Sequence, residues 1–167
     1  MTTINNAPEN KNIILVFDVE TSGLIPRQIK NPSQPIPIQD YPYIIQFSFI
    51  LYDINNSAIV ECYNSFINIP DNIQISEEIT NLTGINNEMC HCNGTPIINA
   101  IIAFLNAYKK CNTLIAHNMD FDQQMIMIEI ERNREQIMTL APECFCLFQP
   151  IYERLNNINK YCTMRNG

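Results

Sequence analysis

Apolar residues run unbroken from Ile13 to Phe17, and Val19 follows a single acid. This β-rich run, residues 13–19, predicts a strand buried on both faces, as at the centre of a sheet. Residues 25–43 then hold five prolines and no periodicity, which predicts a surface loop. Apolar positions return over IIQFSFILYD (44–53) and again over residues 59–69. With turn residues Asn55 and Asn56 between them, they predict an antiparallel hairpin.

Helical signals take over downstream. Ser76 suits an N-cap, Glu77 and Glu78 a first turn, and Gly84 a C-terminal stop, so residues 76–84 predict a short helix. A longer one is predicted over 96–110, opening on Pro96 near N1. It places Ile97, Ile101, Phe104 and Leu105 on one stripe and sets Lys109 and Lys110 where the helix dipole favours cations. TLIAHN (113–118) reads as a short buried strand, and residues 121–138 as a helix with Asp122 in its first turn and Asp120 as a candidate N-cap. Beyond Pro142 the periodicity fades, and YCTMR (161–165) allows one more strand. Strand, hairpin, helix, helix, strand, helix is the order of an α/β domain with a mixed sheet.

Composition narrows the class. A chain of 167 residues suits one domain, burying roughly 70% of its unfolded surface. With 46% hydrophobic and 16% charged residues it reads as globular, with residues 1–12 as a disordered N-terminus and 13–167 as the domain. No apolar run reaches the length of a membrane span, and the first residues lack a secretion signal, so no membrane role is expected. Seven cysteines in that setting point to free thiols in a reducing, intracellular compartment: cytoplasm, nucleus or viral factory. The Cys90/Cys92 and Cys144/Cys146 pairs read as free thiols in a loop and a turn. One intervening residue is closer than structural zinc favours. The net charge of −7 argues against gripping duplex nucleic acid through its phosphates. Any nucleic-acid contact should be short, local and metal-assisted.

Two acids interrupt the first strand. Asp18 and Glu20 stand two residues apart, so both point to one face. Carboxylates about 5 Å apart at an effective dielectric near 20 repel by roughly 3 kcal/mol. Solvation of a strand end, protonation, or a cation could relieve this. A strand apolar on both faces up to Phe17 leaves Asp18 no exposed face. The exit through Thr21-Ser22-Gly23-Leu24 is hydroxyl-rich, with a glycine that lets backbone approach a ligand. Such a place suits Mg²⁺ or Mn²⁺, hard ions that take carboxylate oxygens and keep positions for phosphate and water. A second cluster, AHNMDFDQQMI (116–126), puts Asp122 at a helix start, as a helix-dipole acid or a ligand. His117 by itself suits a hydrogen-bonded core or loop histidine.

FDVETSGL resembles the first motif of the DEDD 3′–5′ exonucleases, the proofreading-subunit-like family with a ribonuclease H-like fold. AHNMDFDQQMI resembles that family's second motif, in which an aspartate follows His-Asn-x-x-Phe, and IPDNIQISEEITNLTGIN is similar to the segment between them. The resemblance runs from about residue 13 to 165. It implies a ribonuclease H-like mixed sheet flanked by helices, with Asp18, Glu20 and Asp122 holding two divalent metals. One metal would activate a water and the other stabilise the leaving 3′ oxygen. It also implies that Thr21, Gly23 and Leu24 meet the terminal nucleotide, with Leu24 on its base. His117, Asn118 and Phe121 would shape the same pocket for single-stranded DNA or RNA 3′ ends.

The family's third motif, a late helix with a histidine or tyrosine base and a fourth acid five residues on, has no match. No Asp follows Asp122, the only histidines are His91 and His117, and Tyr152 is followed at four and five residues by Asn156 and Asn157. YCTMRNG resembles the strand before that motif. The expectation is therefore a domain without its C-terminal helix, completed by a further segment or a second chain, with apolar sheet surface left open and marginal stability or oligomerisation to match. Two functions remain: a metal-dependent 3′–5′ exonuclease domain, or a non-cutting module that binds nucleic-acid ends, metal or a protein partner.

Overall fold

A computed structural model describes residues 12–27 and 34–167. The expected disordered N-terminus (but for Asn12) and the middle of the proline-rich loop lie outside the described residues. Five strands, β1 (Ile13–Thr21), β2 (Ile44–Asp53), β3 (Ala58–Phe66), β4 (Thr113–Ala116) and β5 (Asn159–Cys162), form one sheet in the order β3-β2-β1-β4-β5. The β1–β2 and β2–β3 pairs are antiparallel, whereas β1–β4 and β4–β5 are parallel. The sheet is mixed, as its sequence pattern predicts. The hairpin turns at residues 54–57 with Ser57 at φ 50°.

Seven α-helices follow among the described residues: α1 (Glu77–Thr83), α2 (Asn87–Asn93), α3 (Ile97–Tyr108), α4 (Met119–Arg132), α5 (Arg134–Leu140), α6 (Pro150–Leu155) and α7 (Thr163–Asn166). Ser76 caps α1 by accepting from Ile79 N, and Gly84 ends it in the left-handed region at φ 77°. Helix α2 was not expected. Asn86 caps it at 2.9 Å from Met89 N, so Cys90 and Cys92 stand on a helix instead of in a loop. Pro96 occupies the N-cap of α3, one position before N1. The single helix expected over 121–138 is two, broken at Asn133, whose Nδ2 donates to Glu129 O at 2.8 Å. The last strand is residues 159–162, and the chain turns helical at Thr163, where the sequence suggested a strand over 161–165.

The core lies on one face of the sheet. Phe104 of α3 sits at its centre, its ring 5.1, 5.4 and 5.8 Å from those of Phe17, Phe47 and Phe49. Met125, Ile126 and Ile130 of α4 join the same cluster. This corrects the reading of β1 as buried on both faces. Leu15, Phe17 and Val19 are 5% exposed or less, while Val16 between them is 39% exposed. On the open face the register lines up Cys62, Ile50, Val16, Ile115 and Tyr161 across all five strands. Residue type alone made the strand look doubly buried, because Ile14 and Val16 are β-branched and apolar wherever they point. Among the described residues no helix is long and apolar enough to cross a membrane.

Candidate active site

Alternation along β1 sends Asp18 and Glu20 out through the open face, opposite Ser48 and Gln46 of β2. Asp18 is exposed and Glu20 half-buried. The pairing of β1 with β4 ends at Val16 opposite Ile115, so β1 runs on past its parallel neighbour. The N–H of Val19, between the two acids, donates to Asp122 Oδ1 at 3.2 Å. Asp122 is 2% exposed in the first turn of α4. Asn118, not Asp120, is the N-cap of that helix, accepting from Phe121 N at 3.5 Å. Asp120 pairs with Arg165 at 2.8 Å instead.

The acids oppose one another electrically. Burial, then repulsion from Asp18 and Glu20, pushes the Asp122 carboxyl up to about 7. Partial desolvation of its carboxyl raises Asp18 as well, although the residue as a whole is exposed, with His117 pulling the other way. Glu20 is raised by burial and then by Asp18. The repulsion read from the sequence is therefore present, and it reaches a third carboxylate. His117 is exposed at the end of β4, with its Nδ1 2.9 Å from Thr163 Oγ1.

The neighbouring loop is built from its own hydrogen bonds. Thr21 is buried and its hydroxyl donates to Gly23 O at 2.7 Å. A Cβ at Gly23 would meet only Pro42 Cβ at 3.9 Å, an ordinary contact, so the fold itself does not require glycine there. Leu24 is 83% exposed and free to meet a ligand. Phe121 packs half-buried against the core. Tyr152, the one late tyrosine near the third-motif offset, packs on Tyr108 at 5.7 Å.

The donor chemistry suits a hard divalent cation: three carboxylates held near enough to disfavour each other's charge. Among the described residues, however, no group of three or more His, Cys, Asp or Glu side chains is arranged to hold a metal ion. Sequence reasoning missed Glu129, a second buried carboxylate on α4, 2% exposed. Its signal was available: it lies two helical turns after Asp122, on the same face.

A family model described as Exonuclease (RNase_T) matches residues 15–165. The chain belongs to this exonuclease family. A relative in curated proteins is the PolC-type DNA polymerase III of Caldanaerobacter subterraneus subsp. tengcongensis, 29% identical over 143 residues. The match covers 86% of this chain and 9% of that polymerase. Among solved structures, exonuclease I in complex with the inhibitor BCBP superposes with a TM-score of 0.66 at 14% identity, over 95% of this chain and 30% of that one. E. coli exonuclease I with a dA16 oligonucleotide gives 0.63 at 15% identity, over 91% of this chain and 28% of that one. The nuclease domain of 3′hExo, a DEDDh family member bound to rAMP, gives 0.53 at 16% identity, over 77% and 62%. These structural likenesses show the fold. The exonuclease-family domain has the ribonuclease H-like mixed sheet that its motifs imply, and the DEDD resemblance holds.

Proposed function

We propose that this exonuclease-family chain carries a metal-dependent 3′–5′ exonuclease domain acting on single-stranded DNA or RNA ends. The observation that carries the reading is the coupling of Asp18, Glu20 and Asp122, with Asp122 seated on the backbone between the other two. These three would hold Mg²⁺ or Mn²⁺. When bound, the ions supply an activated water and stabilise the departing 3′ oxygen of a phosphodiester. The chain's own residues do the rest. Val19 N–H fixes Asp122, Thr21 shapes the loop that meets the last nucleotide, and exposed Leu24 packs on its base. His117, Asn118 and Phe121 border the same end of the sheet. The net charge of −7 fits contact with a few nucleotides at an end better than a grip on duplex.

A second reading is a module that binds ends without cutting. It is favoured by the absence, among the described residues, of a three-residue metal group. One experiment separates the two: digestion of a 5′-labelled single strand in Mn²⁺, with Asp18→Asn alongside. A ladder shortening from the 3′ end that vanishes in the variant supports the exonuclease. Strand binding with no cleavage at any Mn²⁺ concentration supports the module.

A further inference from the structure

We propose that Glu129 and Arg132 are positioning residues: their buried ion pair sets the Thr21–Leu24 loop against the acids. This rests on the reading above, in which that loop meets the terminal nucleotide.

The end of β1 is irregular. Glu20 pairs with Gln46 but Thr21 with Ile44, so Ile45 is an extra residue on β2. Bulges bend a strand and re-aim its side chains, often beside functional sites. The N–H of Ile44 donates to a side chain: Glu129 Oε1, 3.1 Å away. The same oxygen accepts from Arg132 Nη1 at 2.6 Å. At 2% exposed, an unpaired Glu129 carboxylate would be strongly unfavourable, so Arg132 is what keeps it there. Burial pushes the Glu129 carboxyl up, and Arg132 and the Ile44 N–H pull it down.

Arg132 then reaches the segment that precedes β2. Its Nη2 donates to the carbonyls of Ile38, Tyr41 and Pro42 at 3.2, 3.1 and 3.3 Å. Its guanidinium lies 3.8 Å from the centroid of the Tyr43 ring. A planar fork can bridge one carboxylate, three carbonyls and a ring at once, which a lysine ammonium cannot. Tyr43 is tied both ways to Ser22: Ser22 N donates to Tyr43 O at 2.8 Å, and Tyr43 N donates to Ser22 Oγ at 2.9 Å. Ser22 is the second residue of the Thr21–Leu24 loop.

One face of α4 thus holds both sides of the bulge. Asp122 takes the Val19 N–H, and seven residues on Glu129 takes the Ile44 N–H and reaches Ser22 through Arg132 and Tyr43. Glu20 lies between the two anchor points. Replacing a buried ion pair by apolar residues is often neutral or stabilising, so stability alone is a poor account of this one. Fixed geometry is what the pair provides.

The full chain is tested as wild type, Arg132→Lys, Ser22→Ala and the double variant. Affinity is read for a short fluorescent single strand with a 3′ phosphorothioate linkage, and separately for Mn²⁺ alone by electron paramagnetic resonance. Arg132→Lys should weaken strand binding about tenfold, while Mn²⁺ affinity stays within about twofold because Asp122 keeps its own anchor. The double variant should be no weaker than the weaker single one, since both cut the same chain of contacts. Hydrogen exchange of the Ser22 and Ile44 amides should quicken in Arg132→Lys while Val19 stays protected. Unchanged strand affinity, additive losses, or Mn²⁺ affinity falling in step would overturn the proposal. If Arg132→Lys does not fold, Ser22→Ala alone must show the strand loss with Mn²⁺ affinity intact. If the wild type binds no strand, the exonuclease reading falls, and exchange decides the brace by itself: Val19 quickening with Ser22 would reject it.

Discussion

Asp122→Asn should make the metal-free protein more stable at neutral to alkaline pH while abolishing the proposed metal binding. The folded carboxyl is raised from 3.8 to about 7, which at about 1.4 kcal/mol per pH unit is a penalty of about 4 kcal/mol once it ionises. The raised value means the folded state holds the proton more tightly than the unfolded one. The associated stability is complete below 3.8 and is lost as pH rises to about 7. Asparagine keeps an oxygen for the Val19 N–H but leaves a new amide to satisfy, a cost of about 1 kcal/mol. The net gain near pH 8 is therefore about 3 kcal/mol. Urea unfolding in EDTA, followed by circular dichroism at about pH 5 and about pH 8, reads the effect. The advantage of the variant should grow by about 2–3 kcal/mol between the two. Mn²⁺ should then raise wild-type stability at the higher pH and leave the variant unmoved. An advantage that is absent, or equal at both pH values, would refute the argument that burial, with repulsion from Asp18 and Glu20 behind it, disfavours the ionised Asp122 carboxylate.

Phe104→Ala removes the ring on which Phe17, Phe47 and Phe49 converge, and should lower stability by about 3–5 kcal/mol in the same urea assay. Leu24→Ala, at an 83% exposed position, should change stability by less than about 0.5 kcal/mol. It should weaken binding of a single strand in a fluorescence anisotropy titration, by about 1 kcal/mol if the base stacks there. Gly84→Ala places a side chain at φ 77°, which should lower stability by about 1 kcal/mol.

Local signals in the chain carried well where short-range physics decides. Ser76 and Gly84 bound α1 because a hydroxyl N-cap and a left-handed glycine work within one turn. The hairpin and the β4–α4 junction follow for the same reason. Asn86 has the same capping chemistry as Ser76, so α2 obeys the same local rule although its residues read as a loop. The break at Asn133 was invisible for a different reason. The residues on either side are good helix formers, and Asn133 closes α4 by donating its Nδ2 to Glu129 O.

What the linear order determined was which acids can face together. Asp18 and Glu20 share a face because a strand alternates, and their mutual repulsion follows from that alone. Burial was beyond it. Which face of β1 is covered depends on where α3 and α4 dock, so Val16 and Asp18 turned out to face the open side. The same docking takes Asp122 out of water and drives its carboxyl up to about 7, a shift no neighbour in sequence could cause. It also joins Glu129, Arg132, Tyr43 and Ser22, scattered over more than a hundred residues, into one line of contacts. Spacing along a chain can set which side chains face together; desolvation and long-range partners exist only once the helices have packed.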